Sequence, residues 1–149
     1  MKRTSLGRVE CPVARALDEI GDWWSLLIIR DAFDGMRRFS EFQKSLGISK
    51  GILTARLKHL VAIGVLEMAP IADEGGYQEY LLTEKGRDLF TALNALRQWG
   101  DAHLSEKPPR LLRRKADRKP VVAALVPRSA NVLRPDEVEL VPGPGLKTT

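Results

Sequence analysis

A cluster of basic side chains is the feature of this sequence most able to do chemistry. Residues 35–58 hold six basic residues against one acid, Glu41. The six are Arg37, Arg38, Lys44, Lys50, Arg56 and Lys58. A local excess of this kind, within a domain that is otherwise neutral, indicates a directed contact with a polyanion. The alternative is a solvated charged face, and charge alone favours neither interpretation.

The net charge of the chain adds little to this choice. The formal charge is +5, yet residues 1–104 carry 14 basic and 14 acidic side chains. Residues 105–149 carry 10 and 5, so the whole excess lies in the C-terminal part. The sequence pI of about 9.6 therefore says nothing about the first part of the chain.

The sequence contains few residues that could bind a metal or act as a catalytic thiol. The chain has two histidines, His59 and His103, and a single cysteine, Cys11, which excludes an internal disulfide framework and a thiolate-rich zinc site. We expect no metal, no cofactor and no enzymatic activity, because a thiol enzyme would need a base beside Cys11. Cys11 precedes a predicted helix, and the positive end of a helix favours the thiolate. It is thus a candidate redox sensor, the alternative being a small residue packed between helices.

The elements that position the basic cluster are mostly helical. Apolar spacing and capping residues predict a helix from Pro12 that ends at Gly21, an apolar helix over about 22–33, a helix capped by Ser40 that runs to Leu46, and a helix capped by Ser49 that runs to Gly64. The last two, joined by a short turn at Gly47, form a helix-turn-helix pattern.

After Gly64 the spacing of apolar residues changes from the helical period to the alternation that is typical of strands. Residues 65–69 and 77–82 predict a β-hairpin around the turn at 72–76, and Thr83 is expected to begin a long final helix that ends near Leu104. Beyond it, residues 110–115 are predicted as a basic linker, 121–126 and 137–141 as short strands, and 142–145 as irregular. The predicted fold class is mainly α with a small β-hairpin wing. The predicted domains are an N-terminal arm at 1–8, a winged helix-turn-helix domain at 9–104, and a basic linker with a Pro/Gly-rich extension at 105–149.

The second helix of the pattern has one face that suits a DNA groove. On a helical wheel Leu53, Leu57 and Leu60 share one stripe. The opposite side carries Gly51, Thr54, Ala55, Lys58 and Ala62. Small residues permit close approach, and hydroxyl or basic side chains reach bases and phosphates. Ser49 and Lys50 stand at the helix N-terminus, where backbone N–H groups favour a phosphate. The alternative is an ordinary solvent-exposed helix face, against which Gly51 argues, since glycine inside a helix costs about 1 kcal/mol relative to alanine.

The hairpin is a second candidate contact. A wing that follows a recognition helix can lie over the DNA backbone or the minor groove. Asp73 and Glu74 at its turn are unsuited to a phosphate, so Tyr77 and Gln78 are the better candidates.

A series of short motifs resembles one known family over residues 9–104. The motifs are Cys11-Pro12-Val13, Ile20-Gly21-Asp22-Trp23, Gly35-Met36-Arg37-Arg38-Phe39-Ser40-Glu41-Phe42, Gly47-Ile48-Ser49-Lys50-Gly51-Ile52-Leu53-Thr54, Leu57-Lys58-His59-Leu60, Gly64-Val65-Leu66 and Glu79-Tyr80-Leu81-Leu82-Thr83-Glu84-Lys85-Gly86, with Trp99. In order and spacing they resemble the HxlR-type winged helix-turn-helix transcription regulators of prokaryotes.

The resemblance implies a transcription regulator without enzymatic activity. We expect a repressor, with an activator as the alternative. It implies a homodimer, formed through the first and last helices, on a pseudo-palindromic operator in double-stranded DNA. It places Arg37, Arg38 and Ser40 at the DNA backbone. It places Ser49, Lys50, Thr54 and Lys58 at the groove. Gly51, from the helical wheel, and Tyr77, from the hairpin, complete the predicted DNA-binding residues.

This chain differs from the family that it resembles at a few positions. Asp22 stands where a lysine is usual, and the wing lacks the usual arginine. The C-terminal extension has no cysteine pair, so no zinc is expected there. The aromatic residues Trp23, Trp24, Phe33, Phe39 and Trp99 are expected in the core rather than in a ligand pocket. A small-molecule effector of unknown identity is a further candidate partner.

Two broader expectations remain. No apolar stretch is long enough to cross a bilayer and the basic N-terminus has no apolar segment behind it, so a cytoplasmic protein without a signal peptide or a membrane partner is expected. The alternative function is a winged-helix module that contacts only proteins. Steep salt dependence of binding would favour DNA over that alternative.

Overall fold

The computed structural model describes residues 4–72 and 74–146. Residues 1–3 of the predicted arm, Asp73 at the predicted wing turn and residues 147–149 lie outside this description. The chain divides into two compact units, Met1–Asp88 and Leu89–Thr149. This division does not coincide with the domain boundaries expected at residues 8 and 104, which stay predictions. Each unit is described by itself.

The first unit contains the predicted helix-turn-helix and its hairpin. Its elements are α1 (Pro12–Ile20), α2 (Trp23–Phe33), α3 (Phe39–Leu46), α4 (Lys50–Ala62), β1 (Leu66–Pro70), β2 (Gln78–Leu82) and α5 (Glu84–Arg87). The predicted class, mainly α with a small β-hairpin wing, is confirmed. None of the helices in the described parts of the chain has the length and apolar content that a membrane crossing requires.

Local capping explains where the helices begin. The side chain of Asp22 accepts the backbone N–H of Ser25 at the start of α2, a cap that was not predicted. Ser49 accepts the N–H of Ile52 at the start of α4, and this cap was predicted. Ser40 does not cap α3, contrary to our expectation, because the helix already begins at Phe39. Gly47, which ends α3, has φ of +59°, a left-handed conformation that glycine adopts without steric cost.

The core of the first unit forms around α2, which packs against α3, α4 and β2. The buried apolar side chains are Ile28, Ile29, Phe42, Ile48, Leu53, Leu57, Leu60, Val65 and Leu66. The prediction of α2 as a core helix is confirmed. The expectation of a buried Trp23 is wrong, since 72% of it is exposed. It is the first residue of α2, where the helix end leaves it beyond the packed face.

The hairpin is antiparallel, with Leu66 opposite Leu82 and Pro70 opposite Gln78. It is anchored to the helix-turn-helix, because the backbone N–H of Tyr80 donates to the carbonyl oxygen of Arg37 at 2.7 Å. At the far end of the hairpin, Gly86 of α5 lies against the backbone of Val65, where a Cβ atom would come within 2.2 Å of the carbonyl oxygen.

The second unit contains α6 (Phe90–Leu104), β3 (Arg110–Arg114), a 3₁₀ helix (Pro135–Glu137) and β4 (Val138–Pro142). The single long helix expected after Thr83 is therefore two helices. Thr83 caps only α5, since its side-chain oxygen accepts the N–H of Gly86. Helix α6 is separate and begins at Phe90. Trp99 on α6 is 56% exposed, so the expectation that it lies in the core is also wrong.

Two predictions for the C-terminal extension need correction. Residues 110–115 are not a linker, because Arg110–Arg114 form β3, which pairs antiparallel with β4. Arg113 and Glu139 face each other across this pair, with Nε and Oε1 2.7 Å apart, so the basic run is partly neutralised. Residues 121–126 form no strand, although the backbone N–H of Val121 donates to the carbonyl oxygen of Leu112. The strand expected at 137–141 is confirmed within one residue of its bounds.

Candidate nucleic-acid interface

Helix α4 separates its side chains into two faces. Leu53, Leu57 and Leu60 are buried in the core of the first unit. The exposed residues outside this stripe include Lys50, Gly51, Thr54, Ala55, Lys58 and Ala62. This exposed face is small, polar and basic, and a face of that kind can approach the edges of bases in the major groove. The structure thus brings together the α4 residues that the sequence predicts at a groove.

The start of α4 presents groups that can bind a phosphate. The Oγ atom of Ser49 accepts the N–H of Ile52 at 3.3 Å, which leaves the Ser49 hydroxyl hydrogen available to a further acceptor. Lys50, the first residue of the helix, is exposed beside it. An ammonium group, a hydroxyl and the positive end of a thirteen-residue helix therefore lie together at this end.

Thr54 has a hydrogen-bonding state that limits what it can recognise. Its Oγ1 donates to the carbonyl oxygen of Lys50 at 2.7 Å. With its hydrogen in use, the hydroxyl keeps only acceptor capacity, and the side chain also carries a methyl group. Thr54 is therefore suited to a base-edge donor, such as an adenine or cytosine amino group, or to the thymine methyl.

Arg37 and Arg38 lie just before α3, and both are exposed. Neither guanidinium is free. Arg38 Nη2 lies 2.6 Å from Glu74 Oε1, and Arg37 Nη1 lies 3.6 Å from Glu79 Oε1. The hydrogen bond to Glu74 raises the pKa of Arg38 above its usual value. The wing acids therefore hold the two arginines that are expected to meet the DNA backbone.

Glu41 fixes the backbone that carries these arginines. Its carboxylate accepts the N–H groups of Arg37 at 2.8 Å and Arg38 at 2.9 Å. These two hydrogen bonds lower the pKa of Glu41, because they stabilise the ionised carboxylate. The neighbouring Ser40, an exposed residue in the first turn of α3, lies on the same short stretch of chain. The order of this stretch therefore depends on a charged carboxylate.

The remaining predicted residues divide between the wing and the core. Tyr77 is exposed at the base of β2, as is the adjacent Gln78, so both can contact a partner from the wing. Arg56 belongs elsewhere, because its Nη1 is 3.4 Å from the Asp22 carboxylate that caps α2. We therefore remove Arg56 from the basic cluster and assign it a structural contact between α4 and α2.

Sequence reasoning missed the role of Glu74 and Glu79. It treated Glu74 only as unsuited to a phosphate, whereas both acids pair with arginines that precede them by some 36 to 42 residues. The available signal was the opposite charge of the two segments. The pairing itself depends on how the hairpin folds back, which no local pattern reveals.

The cysteine and the two histidines make other contacts. Cys11 is exposed at the N-cap of α1. The Nε2 atom of His59 lies 2.8 Å from the carbonyl oxygen of Glu19. The ring of His103 lies beside that of Trp99, with centroids 5.1 Å apart and ring planes tilted by 43°. Within residues 4–72 and 74–146, no three histidine, cysteine or acidic side chains are grouped as a metal site requires.

Comparison with known proteins decides the family. Residues 19–108 match the HxlR-like helix-turn-helix family, which is more than half of the chain. The chain belongs to the HxlR-like helix-turn-helix family. Rv3095 of Mycobacterium tuberculosis, named an uncharacterized HTH-type transcriptional regulator, is 47% identical to it over 103 residues. That match covers 68% of this chain, which spans 65% of the length of this relative.

Two solved structures have folds similar to that of this chain. PA1607, described as a proposed transcription factor, is 51% identical with a TM-score of 0.74, and the match covers 85% of this chain and 89% of PA1607. HypR, described as a redox regulator and solved in its oxidized form, is 33% identical with a TM-score of 0.57, over 62% of this chain and 97% of HypR. The match to PA1607 covers more than residues 1–104 can provide, so that likeness extends into the C-terminal extension.

Proposed function

We propose that this HxlR-like protein is a transcriptional repressor that binds a pseudo-palindromic operator as a homodimer. The main support for this proposal is the exposed polar and basic face of α4, which lies opposite its three buried leucines. Phosphate contacts come from Arg37, Arg38, Ser40, Ser49, Lys50 and Lys58, and from Tyr77 on the wing. Gly51 has no side chain and so lets α4 approach the DNA closely, and Thr54 contacts the edge of a base. The site of action is the cytoplasm.

The homodimer is supported by apolar side chains that face water on two helices. On α1, Val13 is 65% exposed and Leu17 is also exposed. On α6, Leu96 and Trp99 are exposed on one side of the helix. Exposed apolar patches of this kind mark interfaces, and a two-fold interface places each patch against its own copy. A second copy of the chain supplies equally apolar surface, which neither DNA nor water does.

The dimer is tested by sedimentation velocity on the full chain. Trp99→Glu places a charge in the proposed interface and is expected to give a monomer at concentrations where the wild type sediments as a dimer. Leu125→Glu is the matched control, because Leu125 is a fully exposed apolar residue outside α1 and α6. A dimer that survives Trp99→Glu would remove α6 from the interface.

DNA binding is tested by mobility shift on the protein's own upstream intergenic DNA, with excess random duplex as competitor. We expect a specific shift whose affinity falls steeply with salt concentration. Thr54→Val, which keeps a branched side chain but loses the acceptor oxygen, is expected to reduce discrimination between operator and random DNA. Thr54→Ser keeps the oxygen and is its control. Salt-independent binding to a protein partner, with no shift on any duplex, would instead support a protein-interaction module.

The redox part of the proposal concerns Cys11. It is the single cysteine of the chain and is exposed, and the similar protein HypR is described as a redox regulator. An oxidant such as hydrogen peroxide would join the Cys11 thiols of two chains, which lose two electrons and two protons as the peroxide becomes water. Oxidation is expected to change operator binding in the wild type and not in Cys11→Ser. An equal response in both proteins would show that Cys11 is not the redox sensor.

A further inference from the structure

A cavity of about 430 Å³ lies within the C-terminal unit. Its walls are the first turns of α6, one residue from each of β3 and β4, and the irregular segment at residues 121–133. Pockets that hold small organic molecules have volumes of about 300–1,000 Å³. The cavity is therefore large enough for a small ligand. None of its lining residues is a proposed DNA-binding residue.

The chemistry of the walls selects the kind of ligand. Ten of the thirteen lining residues have apolar side chains, among them Phe90, Leu112 and Val138. The other three, Thr91, Asn94 and Asn131, are polar and uncharged. A charged molecule would lose its hydration in such a cavity without gaining an opposite charge. The walls thus favour an uncharged and mainly apolar molecule with one or two polar groups.

Asn94 offers hydrogen bonds that the protein does not use. It is only 8% exposed, and its Nδ2 donates to the carbonyl oxygen of Phe90 at 2.9 Å. Its Oδ1 accepts from Arg97 Nη1 at 2.9 Å. A carboxamide has two N–H donors and two acceptor positions, so one of each remains on this buried side chain. Both side-chain polar atoms of Asn94 already have a protein partner, and the remaining donor and acceptor positions are available to a ligand in the cavity.

The segment at residues 121–133 is apolar but not packed. Val122, Val126, Val132 and Leu133 all line the cavity, yet each is exposed to solvent. The segment is pinned to α6 at Ala123, whose N–H donates to Gln98 Oε1 at 3.0 Å and whose carbonyl oxygen accepts from Gln98 Nε2 at 3.2 Å. An apolar wall that is held in place but uncovered is typical of a binding site.

We propose that this cavity binds an uncharged, mainly apolar small molecule, with a polar group hydrogen-bonded to the side chain of Asn94. A ligand bound in this cavity can affect the proposed dimer, and through it DNA binding, because α6 contributes to both the cavity and the dimer. Phe90 and Asn94 lie on one side of the helix, while Leu96 and Trp99 lie on the opposite side, which is the proposed dimer face. This regulatory role rests on the proposed function, whereas the binding itself does not.

The binding is tested on the full chain by isothermal titration calorimetry without DNA. The probes are indole, 4-propylphenol and cyclohexanol, with indole-3-acetate as an anionic counterpart of the first. We expect one saturable site per chain for at least one uncharged probe and at least tenfold weaker binding of the anion. Val126→Trp fills the cavity and is expected to weaken the probe at least tenfold, with a thermal unfolding midpoint close to that of the wild type.

Leu125→Trp is the matched control for this experiment. Leu125 adjoins Val126 in the same segment but does not line the cavity and is fully exposed, so probe affinity is expected to stay within twofold. Failure of all three uncharged probes, or equal binding to Val126→Trp and wild type, would overturn the site. Preferred binding of the anion would overturn its chemistry. Operator affinity is then measured with saturating probe, and a change of about fivefold or more is expected for an effector.

Discussion

Glu74→Gln is expected to strengthen DNA binding by releasing Arg38. In the free protein Arg38 Nη2 is 2.6 Å from Glu74 Oε1, so a phosphate must compete with a carboxylate for the same guanidinium. Glutamine has nearly the same size as glutamate but no charge. The variant thus gains one net positive charge per chain at the proposed interface while its backbone contacts are unchanged.

The magnitude follows from counterion release. Each phosphate that a protein neutralises steepens the plot of log affinity against log salt by about 0.9, so two copies on one operator add up to about 1.8. Over a fourfold increase in salt, the variant therefore loses up to about 12-fold more affinity than the wild type. The assay is fluorescence anisotropy with a labelled operator duplex between 50 and 200 mM salt, and the affinity at 50 mM is expected to exceed that of the wild type.

Two controls separate the release of Arg38 from a general change in charge. Glu67→Gln removes an acid from an exposed position on β1 of the same hairpin, and it is expected to have a smaller effect on the slope. Arg38→Gln combined with Glu74→Gln is expected to lose the gain. Equal slopes for Glu74→Gln and Glu67→Gln, or a gain that persists without Arg38, would refute competition between the wing and the phosphate.

Three further predictions concern α4, the turn before it and the stretch before α3. Lys50→Ala is expected to weaken binding to operator and random DNA alike and to make the salt slope shallower by about 0.9 per chain, as anisotropy would show. Gly47→Ala is expected to cost about 1–2 kcal/mol in urea unfolding, because a Cβ disfavours φ of +59°. The lowered pKa of Glu41 contributes stability above its unfolded pKa that is lost as pH falls through the folded pKa. Urea midpoints between pH 7 and 3 should therefore fall less steeply in Glu41→Gln.

The helices of the first unit were predictable because their signals are local. A cap at Asp22 or Ser49, a glycine at position 47 and leucines at helical spacing act within one or two turns. The two faces of α4 follow directly from that spacing. The sequence therefore sufficed to predict the helix-turn-helix and the side of α4 that faces solvent.

The features that escaped prediction depend on contacts between distant parts of the chain. The pairing of Arg38 with Glu74 joins residues 36 positions apart. The pairing of β3 with β4 turns a basic run that resembles a linker into a strand, because Arg113 meets Glu139 across the ladder. Exposed Trp99 also ran against expectation, since an apolar stripe on a helix does not reveal whether it packs within its own chain or against another.

The ion pairs of the wing bear on how a neutral domain can select an operator. Residues 1–104 have no net charge, and two of the exposed arginines are already paired with wing acids. If Arg37 and Arg38 bind phosphates as proposed, random DNA displaces Glu74 and Glu79 and gains only phosphate contacts, so we expect the sequence-independent part of the affinity to be small. We expect an operator to add base contacts at Thr54 in the same step, and these contacts to offset the loss of the ion pairs. We therefore expect the wing acids to weaken binding to all DNA and to raise the fraction of the binding energy that depends on sequence. Glu74→Gln should accordingly gain affinity for random duplex at least as much as for operator.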